Sequence, residues 1–175
     1  MKKLFPVSIA LALVLSIIFF AASAATPVTA RETKMLEFSG MLGVPRPYTG
    51  ATNAIRGVPG GGLPWVISSA EGELRSNGRL VIIVRGLLID PNDPAAIAAG
   101  RGGTNPSPSF KAIVSCMSMD ENGNPVTTNI SSSSFPANAM GNATIKETLV
   151  LPNPCIAPII FVTSPAGSWF ASTGF

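Results

Sequence analysis

Apolar residues run along this chain in two patterns, separated by stretches rich in chain breakers. The first pattern is one continuous block, Leu4 to Ala22, preceded by Met1-Lys2-Lys3 and followed at once by Ala22-Ser23-Ala24. A positive start, an apolar middle and a small-residue site are the three parts of a secretory signal peptide, so removal of residues 1–24 is expected. A retained anchor is the rival reading, because the block approaches the length that spans a bilayer. Pro6 and Ser16 interrupt it and the small-residue site follows directly, which favours cleavage. Residues 25–33 then read as a short mobile leader, and 34–175 as a single domain.

The second pattern is alternation with a period of two, the mark of half-buried strands. Lys34 to Leu42 gives the first strand, carrying Met35, Leu36, Phe38 and Leu42. A long Gly/Pro-rich connection, 43–64, has Gly60-Gly61-Gly62 within it, and Trp65-Val66-Ile67 restarts the apolar signal. From Glu71 to Ile89 the spacing predicts a hairpin turning at Asn77-Gly78. A two-residue loop would put Glu71, Glu73 and Arg75 on the face of Leu80, Ile82 and Val84. A three-residue loop, Ser76-Asn77-Gly78 with Gly78 left-handed, instead aligns Leu74 with those three and gathers Glu71, Glu73, Arg75, Arg79 and Arg85 opposite, so the longer loop is expected. Leu80 to Val84 is apolar throughout and so belongs at a sheet centre, covered on much of both faces.

A turn at 90–94 leads to one helical turn, Ala95 to Ala99, stopped by Gly100, within a second breaker-rich loop, 90–108. Further strands are expected at Phe110 to Met119, Val126 to Ile130, Asn142 to Leu151, Ile159 to Thr163 and Trp169 to Ser172. Glu147 has the parity of Ile145 and Leu149, which places it at an edge or bulge. Turn-punctuated strands of this number predict an all-β fold: an antiparallel β-sandwich of about 7–9 strands, immunoglobulin-like in architecture only, since no Trp lies between the two cysteines. An outer-membrane barrel, suggested by the terminal Phe175, fits less well, because Leu80 to Val84 and Ile159 to Val162 do not alternate.

Composition sharpens this picture. Cys116 and Cys155 fall in the exported part of the chain, where oxidation is allowed, and are expected to form one disulfide. Losing Lys2 and Lys3 takes the basic count from 12 to 10 against 9 acids, so the basic isoelectric point is partly a property of the export signal. It lends no support to nucleic-acid binding. No second stretch is long enough to span a membrane as a helix.

Histidine is absent, which excludes Ser-His and Cys-His nucleophilic catalysis. No nucleophile-elbow or phosphate-loop pattern occurs, and no cofactor is implied. Carboxylates remain: Glu37, Glu71, Glu73 and Glu147 are the glutamates in strands, and a pair across a cleft could hydrolyse a glycosidic bond. Asp120, Asn122 and Asn124 have the alternate spacing that opens a calcium loop, but the glycine stands at 123 and no acid closes the twelfth position. Asp90 with Asp93 is a second such candidate, and turn chemistry accounts for both segments. Asn129-Ile130-Ser131 and Asn142-Ala143-Thr144 match the glycosylation acceptor pattern. Tyr48, Trp65 and Trp169 are the candidate ligand contacts, able to offer flat faces to a sugar ring or an apolar ligand, but Trp65 and Phe170 read first as core, and Tyr48, in the long loop, is the better placed for an exposed contact. The reading that results is an exported, non-enzymatic binding or structural module acting through loops 43–64 and 90–108 on an extracellular ligand or protein partner. The alternative is a carboxylate-dependent enzyme acting on envelope or extracellular carbohydrate.

Overall fold

The computed structural model describes residues 32–174. The expected signal peptide, most of the expected leader and Phe175 lie outside the described residues. Of the leader, Thr33 is already tied to the domain: its N–H donates to Ser76 Oγ, and its carbonyl accepts from Ser76 N–H.

Twelve strands and one short helix make up the described residues, and four of the strands are only two residues long. One sheet has the order β1 (Lys34–Phe38), β4 (Ser69–Arg75), β5 (Arg79–Arg85) and β10 (Ala143–Thr148). The other runs β2 (Leu42–Gly43), β12 (Trp169–Ser172), β11 (Ile156–Thr163), β7 (Ser109–Met119) and β8 (Pro125–Ser131), with β9 (Phe135–Pro136) also pairing with β7. β3 (Trp65–Val66) and β6 (Leu88–Ile89) form a separate two-stranded ribbon. All strand pairs are antiparallel. The chain is thus an all-β, sandwich-like fold.

The expected first strand is two strands. β1 pairs with β4 in one sheet and β2 with β12 in the other, so the chain crosses between layers at Ser39-Gly40-Met41. Apolar parity alone conceals such a crossing, because both halves bury residues against the same core. The hairpin keeps the expected register: Leu74 faces Leu80, and Gly78 closes the loop at φ +83° with its N–H on the Arg75 carbonyl. β5 lies between β4 and β10. Leu80, Ile82 and Val84 are buried, while Val81 and Ile83 are half-buried on the outward face.

These side chains join Leu74, Ile145, Phe110, Val114, Ile160 and Val162 in one contiguous core. Each large aliphatic chain so buried contributes about 1.5–3 kcal/mol of transfer free energy. Cys116 on β7 is fully buried and is disulfide-bonded to Cys155, which precedes β11. Closing a loop of that length, 39 residues apart, stabilises by about 4 kcal/mol on the chain-entropy account.

Candidate functional site

Both long loops are ordered, and they meet. Loop 43–64 is pinned to the second sheet at its two ends: Val44 N–H donates to the Phe170 carbonyl, Gly61 N–H donates to that of Trp169, and Trp169 N–H donates to that of Pro59. Its middle is held by Arg56, whose Nη1 donates to the carbonyls of Ser115 and Ala157 at 2.9 Å each. The register of β11 against β7 shifts between Ile156 and Ile159, around Ala157-Pro158, and the guanidinium serves two carbonyls beside this irregularity. Arg56 and Ala157 are also the positive-φ non-glycine residues among the described residues, at 49° and 45°. Backbone this strained persists only where neighbouring contacts over-determine it.

The second loop contains helix α1 (Pro94–Ala98), close to the expected helical turn. Asp93 is its N-cap, accepting from Ala96 N–H, and Pro94 supplies the preset φ of the first turn. Gly100 ends it at φ +63°, with Arg101 N–H reaching back to the Ala96 carbonyl. The same Asp93 carboxylate accepts two hydrogen bonds from Arg46 of the first loop, Nε to Oδ2 at 2.9 Å and Nη2 to Oδ1 at 3.2 Å. Asp93 is buried, whereas Arg46 is half-exposed. Hydrogen bonding from Arg46 holds the Asp93 carboxyl below its usual range, and the cap N–H acts in the same direction.

Beside this fork lies an open groove of about 530 Å³. Leu42 and Val66 are exposed along it, Trp65 forms part of its floor, and Arg46, Asp90 and Asp93 give it a polar end. Arg46 carries no motif that would single it out from the sequence. Asp93 reads there as part of a turn and, with Asp90, as a calcium candidate, and neither reading points to a helix cap or to a partner 47 positions away.

The aromatic candidates separate. Tyr48 is 37% exposed, but Trp65 is 5% and Trp169 0% exposed. Trp65 stacks on Phe170 with ring centroids 3.8 Å apart, and Trp169 packs against Phe161. Both indoles therefore serve the core, and Tyr48 is the one of the three at the surface. The Trp169 indole N–H has no hydrogen-bond partner among the described residues.

Glu37, Glu71 and Glu73 line a second concavity of about 600 Å³ on the outer face of the first sheet, with Val81, Ile83 and Arg79. Arg75 donates to both oxygens of Glu73 and holds its carboxyl below the usual range, the direction opposite to that of a general acid. Glu37 is paired with Lys34 at 2.6 Å. Glu147 sits on the edge strand β10, where its two oxygens accept the N–H and the hydroxyl of Ser133. The Asp120 carboxylate is bonded within its own turn, by the backbone N–H groups of Asn122 and Asn124 and by the Asn124 side-chain amide. Asp90 likewise accepts Asn92 N–H. Both glycosylation-pattern asparagines hold backbone: Asn129 Nδ2 donates to the Arg56 carbonyl, and Asn142 Oδ1 accepts Gly86 N–H.

Comparison with protein-family models, with curated proteins and with solved structures returned no match to this chain.

Proposed function

We propose that the chain is an exported, non-enzymatic β-sandwich that works as a binding or structural module through loops 43–64 and 90–108. The observation that carries this reading is the Arg46–Asp93 fork, which joins the two loops into one surface and sets them beside exposed aliphatic side chains. Connections of such length are uncommon inside a compact domain and are usually functional or disordered, and hydrogen bonds tie these two to the sheets and to each other. Leu42 and Val66 are both exposed along one groove with a polar end, and apolar side chains gathered on such a surface are the sort that mark interaction sites. The Cys116–Cys155 bond supports an oxidising compartment, and the pattern of residues 1–24 supplies the route to it.

The test is a glycan-array and protein pull-down screen of the mature chain beside two variants. L42S with V66S should lose the recovered ligand while keeping the wild-type circular dichroism. Replacing Glu71, Glu73 and Glu147 together by Gln should leave binding intact. Loss in the glutamine variant and retention in the serine variant would replace this reading with a carboxylate enzyme.

A further inference from the structure

Each β-sandwich must manage its sheet edges, because an unpaired strand presents N–H and C=O groups that any other strand can take. Three of the four edges here are blunted. β1 carries Lys34 and Glu37 and a register shift between Lys34 and Leu36. β2 is two residues long and is followed directly by Val44, whose carbonyl accepts Trp65 N–H. β10 carries Lys146 and Glu147 and is bridged to the other layer through Ala143 and Ala137.

β8 is different. It is seven residues of sequence PVTTNIS, with no charge and no register irregularity against β7. Its hydrogen-bond phase follows from both of its ends. Ser132 N–H donates to the Ala112 carbonyl at one end, and Asp120 N–H donates to the Asn124 carbonyl at the other. Bonded pairs in an antiparallel ladder recur at every second residue, so Val126, Thr128 and Ile130 exchange bonds with β7. The N–H and C=O groups of Thr127, Asn129 and Ser131 therefore point away from the sheet. The open stretch is closed at both ends: Pro125 has no N–H to offer, and Ser133 N–H is taken by Glu147 Oε2 at 2.7 Å.

We propose that β8 is a self-association edge, at which two copies pair β8 with β8 antiparallel about a twofold axis at Asn129. In that register Asn129 faces Asn129 of the second copy, and Thr127 faces Ser131. Each of these pairs exchanges two backbone hydrogen bonds, and the next pair outward on either side would join Pro125 to Ser133, which are the two closed positions. The ladder thus begins and ends where the groups without a partner among the described residues do. No charged residue falls between 125 and 133, so the symmetric pairing sets no like charges opposite each other, a juxtaposition that destabilises cross-strand pairs. The second sheets of the two copies would become one continuous sheet.

Sedimentation velocity of the mature chain across a concentration series tests this. The expected result is a concentration-dependent monomer–dimer equilibrium, with slowed amide exchange at Thr127, Asn129 and Ser131 in the dimer. T127K with S131K sets ammonium groups opposite each other on the solvent face and should leave only monomer, with the melting temperature of wild type at the low concentrations where it too is monomeric. T127K with S131E sets each ammonium against a carboxylate and should restore the dimer. A wild-type chain that stays monomeric throughout, a dimer indifferent to T127K with S131K, or a dimer whose three edge amides exchange as fast as in the monomer would overturn the proposal. The exchange measurement needs no variant, so it decides the matter even if a variant fails to fold.

Discussion

Asp93 joins two segments 47 residues apart through a single carboxylate, which caps a helix and receives a guanidinium fork. Its pKa is depressed in the fold, chiefly by hydrogen bonding from Arg46. Such a group contributes stability in full above the usual carboxylate value near 3.8 and loses it as pH falls through the lowered folded value. The urea midpoint of wild type should therefore exceed that of D93N by most at neutral pH, with the gap narrowing below about pH 4. A gap that persists unchanged at about pH 2 would show that the carboxylate charge is not what matters. D120N should behave in the same direction, because Asn124 and its neighbours hold that carboxyl low as well. Gly78 makes a sharper case: it has φ +83°, and an added Cβ would run into the Leu149 carbonyl. G78A is expected to destabilise by more than about 1 kcal/mol in urea unfolding. The glycine is legible in the sequence because Asn-Gly between two β-like runs has one common use. Arg56 and Ala157 are not, since nothing local announces a left-handed arginine. Their conformation depends on carbonyls supplied from β7 and from beside the β11 irregularity.

Among the elements, those with a local cause were readable. Parity selected the hairpin loop because one register buries charge and the other does not, and Leu74 does face Leu80. The helical turn announced itself through its alanines and the glycine after its end, although it starts at Pro94, within the segment expected to be a turn. The crossing at Ser39-Gly40-Met41 was not readable, because β1 and β2 share an apolar sequence pattern while belonging to different layers. The ribbon of β3 with β6 escaped for a related reason: two residues are too few to show a period. Removing the link between β7 and the start of β11 tests the elements jointly. Replacing Cys116 and Cys155 by Ala should lower the unfolding free energy by about 2–4 kcal/mol, and reductant should do the same to wild type but not to the variant. R56A should cost about 1–2 kcal/mol, chiefly by leaving the part-buried Ser115 carbonyl unserved, and it should speed amide exchange within 50–61 ahead of the strands.

For the molecule as a whole, the all-β, sandwich-like class and the disulfide could be argued from residues 34–175, but strand number could not: about 7–9 were expected, and the described residues form twelve because four two-residue strands are too short to show a period. What could not be argued was that the two breaker-rich loops form one surface, because the contact between Arg46 and Asp93 is long-range and leaves no periodicity. The burial of Trp169 was not legible either, whereas Trp65 and Phe170 were expected in the core and do stack there. Export and an oxidising compartment are what the proposed function requires, and one intact-mass measurement addresses both. Protein recovered outside the cytoplasm and alkylated without reductant should begin at Ala25 and take up no alkyl group. A product that keeps Met1, or that takes up two alkyl groups, would contradict the account.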